Sequence, residues 1–221
     1  MIDVIYLAAG QGKRAGLGYP KQYARLGGKP IMVHGLELLQ AVDEVSSIII
    51  ADPPAQVEET AKIIASYING RKLIMTSGGP NRQQSVANAL RLVTTEYVLV
   101  TEAVRPFITA ELIRTVINTD GDFVTPWIRP LSTVVTRQGK YLSRDEVGQV
   151  QMPQKYNTEL LKTAHDCTYL NSATDDAALV IQTLEIEPVL VSGIEENIKI
   201  TTPLDLVIAE AIYQNRLLRG E

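Results

Sequence analysis

IDVIYLA (2–8), then a glycine-rich stretch, then IMVHGLELLQAV (31–42): this opening decides the fold, because a short apolar β-branched run passes through a loop into a helical pattern. The unit repeats. SSIIIAD (46–52) precedes a helix predicted near 54–67, RKLIMT (71–76) one near 81–93, and YVLVT (97–101) one near 109–118. Runs without polar alternation are strands buried on both faces, as in a parallel sheet covered by helices. The predicted fold class is therefore α/β, a Rossmann-like doubly wound sheet, mostly parallel, whose ligands lie beyond the carboxyl ends of the strands. That places the chemistry at 8–22, 77–85 and 101–106.

Residues 126–156 read differently. Pro126, Pro130, Gly139, Gly148 and Pro153 break a strand-forming stretch, which predicts a projecting β-arm at about 128–152. Helical patterns return near 157–171 and 175–184, followed by strands at 186–192 and in NIKIT (197–201) and an amphipathic helix from about 203. Thr202 suits its cap, Pro203 its first turn and Asp205 its positive end. A length of 221 residues without repeats or linkers fits one domain over 1–221. Net charge −4 supplies no global field for nucleic acid, so any bound anion is held locally. One cysteine, Cys167, excludes a disulfide framework and a multi-cysteine zinc site. With no signal-like or membrane-length apolar segment, the expectation is a cytoplasmic protein without membrane association.

LAAGQGKRAGLGYPKQ (7–22), directly after the first strand, is the strongest local signal. Gly10, Gly12, Gly16 and Gly18 permit positive φ and close backbone approach, while Lys13, Arg14 and Lys21 bring cations to the same loop. This is phosphate chemistry, yet the spacing fits neither a P-loop nor a dinucleotide fingerprint. An oxidoreductase reading fails with it, since only Asp52 could serve as the acid after the second strand. TSGGPNRQQSV (76–86) again sets glycines between strand and helix, with Asn81 a cap candidate, and VTEAVRP (100–106) follows the apolar strand YVLV.

Together with GGKPIMVHGLELL, MPQKY, ATDDAALV and NIKITTPLDLVIAE, these segments resemble, in order along nearly the whole chain, the cytidylyltransferases that act on methylerythritol phosphate and ribitol 5-phosphate. The resemblance implies a nucleotidyltransferase-type sheet and a CTP-dependent enzyme that transfers CMP to a polyol phosphate with Mg²⁺. It also implies a homodimer whose arm reaches the partner's site. Carried over by position, Arg14 and Lys21 stabilise the transition state. Leu7, Ala8, Ala9, Gly10, Gly79, Arg82, Ser85 and Glu102 bind nucleotide, with Glu102 also a metal candidate, and Thr133, Arg144, Thr174 and Lys199 bind the acceptor. The chemistry needs no protein nucleophile, since the attacking phosphate is already an anion. His34 and His165 accordingly read as packed or surface residues, and Arg105 as a buttress.

The chain departs from its relatives in three places. Glu102 stands where they carry aspartate, Met152 replaces a threonine before Pro153-Gln154, and the arm reads RPLST (129–133) where they have Asp-Thr. These departures keep alive a nucleotide-binding relative without turnover. AVRPFIT and NIKITTPLDL look closer to the ribitol phosphate branch, with the methylerythritol branch of isoprenoid synthesis as the alternative.

Overall fold

The structure is a computed structural model and describes residues 1–10, 18–68, 73–167 and 173–220. In chain order its elements are β1 (Ile2–Leu7), a 3₁₀ turn (Lys21–Tyr23), β2 (Arg25–Leu26), β3 (Lys29–Pro30), α1 (Ile31–Ala41), β4 (Val45–Asp52), α2 (Val57–Ala65), β5 (Leu73–Ser77), α3 (Arg82–Leu90), β6 (Tyr97–Glu102) and α4 (Ala110–Asn118). There follow β7 (Phe123–Ile128), β8 (Val134–Val135), β9 (Tyr141–Leu142), β10 (Gln149–Val150), β11 (Gln154–Asn157), α5 (Thr158–Asp166), α6 (Asp176–Leu184), β12 (Val189–Ser192) and α7 (Pro203–Arg219).

The main sheet runs β10-β7-β11-β6-β1-β4-β5, with β12 beside β7. β6, β1, β4 and β5 are mutually parallel, and β11 inserts antiparallel between β6 and β7. The predicted α/β class holds, because the apolar runs supply both faces of the sheet. Val4, Tyr6, Ile48 and Ile50 point to a core shared with α1, α2 and α4, and Ile5, Ile49, Ala51, Val98 and Val100 to one shared with α3, α5 and α6. Each fully buried aliphatic side chain contributes about 1.5–3 kcal/mol, so a one-residue slip of a strand would exchange the two faces at great cost. β1 has β4 on one side and β6 on the other, so the chain turns back across it. The crevice beyond Leu7 is the switch point of the sheet.

Caps fall where the sequence placed them. Asn81 Oδ1 accepts from Gln84 N, and Thr202 with Asp205 forms a capping box before Pro203. Several readings differ; the strand expected at 186–192, for one, starts at Val189. NIKIT is not a strand: Ile198 and Ile200 alternate inward, but into a small cluster with Ala24, Phe107 and Ala209, and no strand pairs with them. The helix expected from 54 starts at Val57, since Pro53 and Pro54 form the turn that leaves β4. The arm is shorter than 128–152 because β7 continues to Ile128 in the sheet and Gln149–Val150 returns to pair with it, leaving the β8–β9 hairpin to project. Among the described residues no helix is long and apolar enough to cross a membrane.

β4 ends on a buried acid. Asp52 Oδ2 accepts from the Thr60 hydroxyl of α2, which stands 2.5 Å from the Tyr23 hydroxyl, and Asp52 Oδ1 has no hydrogen-bond partner among the described residues. Burial raises its pKa to about 6, above the ordinary 3.8. A folded-state value above the unfolded one means that its contribution to stability is fully present below pH 3.8 and is lost as pH rises through about 6. Asp52→Asn, which keeps an acceptor for Thr60, is therefore expected to stabilise the protein by about 1–3 kcal/mol at pH 7.5 and by much less at pH 4. Thermal unfolding at the two pH values checks this, and an equal shift at both would remove the carboxyl's titration as the cause.

Candidate active site

The first wall of the switch-point crevice is the segment after β1. Ala8 N donates to Ala51 O at 2.8 Å, and Gln22 Nε2 donates to Ala8 O at 2.6 Å, so one backbone group ties the chain to β4 and the next ties the returning loop to its start. Lys21, only 7% exposed, sends its Nζ to Ile200 O at 2.7 Å. Arg14, with Gly12, Lys13 and Gly16, lies outside the described residues. Of the loop glycines that are described, Gly18 takes the expected positive φ (+71°) and Gly10 does not. A side chain on Gly10 would meet only Lys21 Cε, at 4.0 Å, so its smallness keeps the crevice open rather than permitting a turn.

The second wall comes from β5 and α3. Gly78 N donates to Asp52 O at 2.7 Å, Gly79 N to Ser85 Oγ at 3.0 Å, and Ser85 Oγ to Asn81 O at 2.8 Å. The serine hydroxyl thus keeps one lone pair for a ligand. A Cβ on Gly79 would stand 2.3 Å from Gln84 Cβ and 2.9 Å from its backbone carbon, so the turn closes only around glycine.

The third wall is a cluster of charge under the end of β6. Glu102 is 7% exposed; its Oε1 accepts from Lys199 Nζ at 2.5 Å and its Oε2 from Arg105 Nε at 3.1 Å, while Arg82 Nε stands 3.9 Å away. Burial pushes this carboxyl up, and Lys199 and Arg105 outweigh it, holding the pKa below the usual range. Arg105 also donates from Nη1 to Asn197 O at 2.8 Å, the buttressing role read from the sequence. Asn197 in turn donates to Met152 O at 2.7 Å, so the segment carrying Lys199 is pinned from two sides. Arg82 Nη2 lies 2.7 Å from Asp176 Oδ2, a close charge contact without the alignment of a hydrogen bond. Burial opposes the charge on Arg82, yet Asp176 and Glu102 hold its pKa above the ordinary value and keep it cationic.

These walls enclose a cleft of about 840 Å³. Leu7, Ala8, Ala9, Gly10, Lys21, Gly79, Arg82, Ser85, Glu102 and Lys199 line it together. Thr133, Arg144 and Thr174 do not. Thr133 and Arg144 sit exposed on the arm, where Arg144 Nη1 donates to Leu131 O at 2.8 Å, and Thr174 is exposed before α6, whose cap is Asp175. Sequence reading missed Pro53 and Pro54, which also line the cleft. The rule that ligands sit beyond strand ends, applied to β4 as it was to β1, β5 and β6, would have found them. His34 Nε2 lies 3.0 Å from Leu26 O, a packed residue as read.

A sequence profile described as IspD, 2-C-methyl-D-erythritol 4-phosphate cytidylyltransferase, matches residues 2–215. The chain belongs to this family. It is a cytidylyltransferase, a nucleotidyltransferase by class, and a Geobacillus kaustophilus 2-C-methyl-D-erythritol 4-phosphate cytidylyltransferase is 32% identical to it over 97% of this chain and 98% of that protein. The Bacteroides thetaiotaomicron protein of the same name is 35% identical over 95% and 98%. Among solved structures, 4-diphosphocytidyl-2C-methyl-D-erythritol synthase from Anaerococcus prevotii superposes with a TM-score of 0.85 at 26% identity, covering 97% of this chain and 96% of that one. The Thermus thermophilus 2-C-methyl-D-erythritol 4-phosphate cytidylyltransferase gives 0.78 at 29%, covering 96% and 98%. All four relatives carry a methylerythritol name. The ribitol preference read from AVRPFIT and NIKITTPLDL therefore gives way to its alternative.

For a family member with this turn, Gly79→Ala forces Gln84 and the start of α3 to move. It is expected to weaken CTP binding by about tenfold or more, because misplacement of a positioned group by an ångström carries penalties of that order. Calorimetric titration with CTP checks this, and unchanged affinity would take the Gly79 turn out of the nucleotide site.

Proposed function

We propose that this chain transfers the CMP group of CTP to the phosphate of 2-C-methyl-D-erythritol 4-phosphate and releases pyrophosphate. The observation that carries this reading is the gathering of Lys21, Arg82, Lys199 and Glu102 in one cleft at the switch point, in a chain aligned almost end to end with relatives of that name. A cleft that gathers three cations and one acid among the described residues suits two phosphorylated substrates.

In the proposed reaction an acceptor phosphate oxygen forms a bond to the α-phosphorus of CTP while the bond from that phosphorus to the bridging oxygen breaks, the electron pair leaving with pyrophosphate. Negative charge grows on the α-phosphate and leaving oxygens. Together with Arg14, Lys21 is assigned to hold that charge, a fixed cation needing no rearrangement as the reaction proceeds. The backbone of Leu7–Gly10, with Gly79 and Ser85, is assigned to the cytosine, whose amine and carbonyl need complementary partners. Lys199 is assigned to the acceptor phosphate. For Mg²⁺ the donor set is lean: Glu102 is the one acid lining the cleft among the described residues, and no cluster of three possible ligands occurs among them. That suits an ion carried mainly by the triphosphate and its waters, with one carboxylate as protein ligand. Bound there, Mg²⁺ would neutralise charge on the phosphates.

The direct test is incubation with CTP, Mg²⁺ and a panel of 2-C-methyl-D-erythritol 4-phosphate, ribitol 5-phosphate and erythritol 4-phosphate, with detection of pyrophosphate. The methylerythritol phosphate is expected to give the highest kcat/KM by about tenfold or more. Preference for ribitol 5-phosphate would overturn the acceptor, and CTP binding without turnover on any acceptor would overturn the reaction.

The exposed arm supports a further part of the reading, a homodimer in which Arg144 grips the acceptor in the partner's cleft. Lys21→Ala alone is expected to lower kcat by about 10²–10³, and Arg144→Ala to raise the acceptor KM. Mixing the two variants with subunit exchange should restore about a quarter of wild-type activity, because a mixed dimer holds one intact site. No recovery on mixing would place Arg144 in its own protomer's chemistry or outside the reaction.

A further inference from the structure

α5 turns one titratable ring toward the interior. His165 Nε2 lies 3.1 Å from Asp176 Oδ1, the histidine side chain being 5% exposed and the aspartate fully buried. The other oxygen of Asp176 faces Arg82 Nη2 at 2.7 Å, and Arg82 lines the cleft, with its Nε 3.9 Å from Glu102. A row of groups thus crosses the outer helical layer into the site, from α5 through the first turn of α6 to the first turn of α3.

Each member constrains the next. A wholly buried carboxylate stays ionised only where positive or donor groups face it, and here the guanidinium faces one oxygen and the imidazole the other. Facing a carboxylate at hydrogen-bond distance, Nε2 must carry the hydrogen, so the ring is a donor. Burial pushes the Asp176 carboxyl up, and Arg82 and His165 outweigh it, keeping it ionised. Arg82 meanwhile has buried N–H groups at Nε and Nη1 with no hydrogen-bond partner among the described residues. Buried donors without partners are costly, and donors in the wall of a ligand cleft find their acceptors on the ligand. Because the Arg82–Asp176 contact is close but poorly aligned, the direction of that unpartnered edge depends on where Asp176 is held.

We propose that His165 is a positioning residue for the nucleotide: by fixing Asp176 it sets the orientation in which Arg82 offers its remaining N–H groups to CTP. This rests on the reading of the cleft as the CTP site. It differs from a packing role for His165, which leucine, of similar volume, would fill.

His165→Leu keeps the volume and removes the donor, whereas His165→Gln keeps an amide N–H near the place of Nε2. Measured by calorimetry and steady-state kinetics, His165→Leu is expected to raise the Kd and KM for CTP about tenfold with kcat and the acceptor KM within about threefold, and His165→Gln to bring the CTP values back within about threefold of wild type. Asp176→Asn, which keeps the shape and loses the charge, is expected to weaken CTP at least as much as His165→Leu. Thermal unfolding of each variant separates fold from function. A His165→Leu protein that loses thermal stability but binds CTP like wild type overturns the proposal, as does a His165→Gln protein as weak as His165→Leu. If His165→Leu does not fold, wild-type CTP affinity in Asp176→Asn overturns it. A wild-type enzyme without turnover or CTP binding would instead remove the function on which the proposal stands, whereas an active wild type with an indifferent His165→Leu removes the proposal alone.

Discussion

One carboxylate organises this protein. Glu102 ends the central strand β6 nearly out of contact with solvent, and it is held there by Lys199 from the segment before α7, by Arg105 from the next turn of chain and, at longer range, by Arg82 from α3. An isolated buried acid would take up a proton. One surrounded by cations stays ionised and pulls separate parts of the chain to the sheet edge. Asn197 and Met152 then fix the approach of the Lys199 segment, and Ile200 O receives Lys21 from the other side of the crevice. Cations from three stretches far apart in sequence thereby converge where a triphosphate and a second phosphate would meet.

How much of this could be read from the chain differs by kind of signal. Parallel strands were legible because burial on both faces leaves uninterrupted β-branched runs such as IIIAD, and caps were legible because Asn81 and Thr202 stand directly before helical patterns. NIKIT misled because alternation of Ile198 and Ile200 is what a strand shows, yet the same alternation serves a segment packed on α7 with no strand beside it. The foot of the arm was placed too early because β7, FVTPWI, contains a proline that the sheet accommodates beside β12.

The site itself was legible as far as it lies in contiguous motifs. Ten of the carried-over positions line one cleft because strand ends deliver them there. Arg14 lies outside the described residues, and the arm residues Thr133 and Arg144 do not line the cleft. His165 was legible only as a polar residue on an amphipathic helix. Its partner Asp176 is eleven residues on, and only the packing of α5 on α6 brings them together. Contacts between helices of the outer layer leave no short-range trace in sequence, so the groups behind a binding residue are harder to foresee than the residue itself.

Two buried acids, at the ends of the strands on either side of β1, show how the cleft distributes charge. Asp52, at the end of β4, has one hydroxyl partner and, among the described residues, no salt-bridge partner, and burial raises its pKa to about 6. Glu102, at the end of β6, is as thoroughly buried yet is driven the other way by Lys199 and Arg105. Burial is common to both, so the partners decide the sign. The result suits the proposed substrates: the carboxylate held firmly ionised stands where phosphates and their cation would gather. The longer side chain of Glu102 fits the same economy. Its reach lets the carboxylate meet Lys199 at 2.5 Å and Arg105 at 3.1 Å, one oxygen to each, so a single side chain holds the cluster on which the cleft depends.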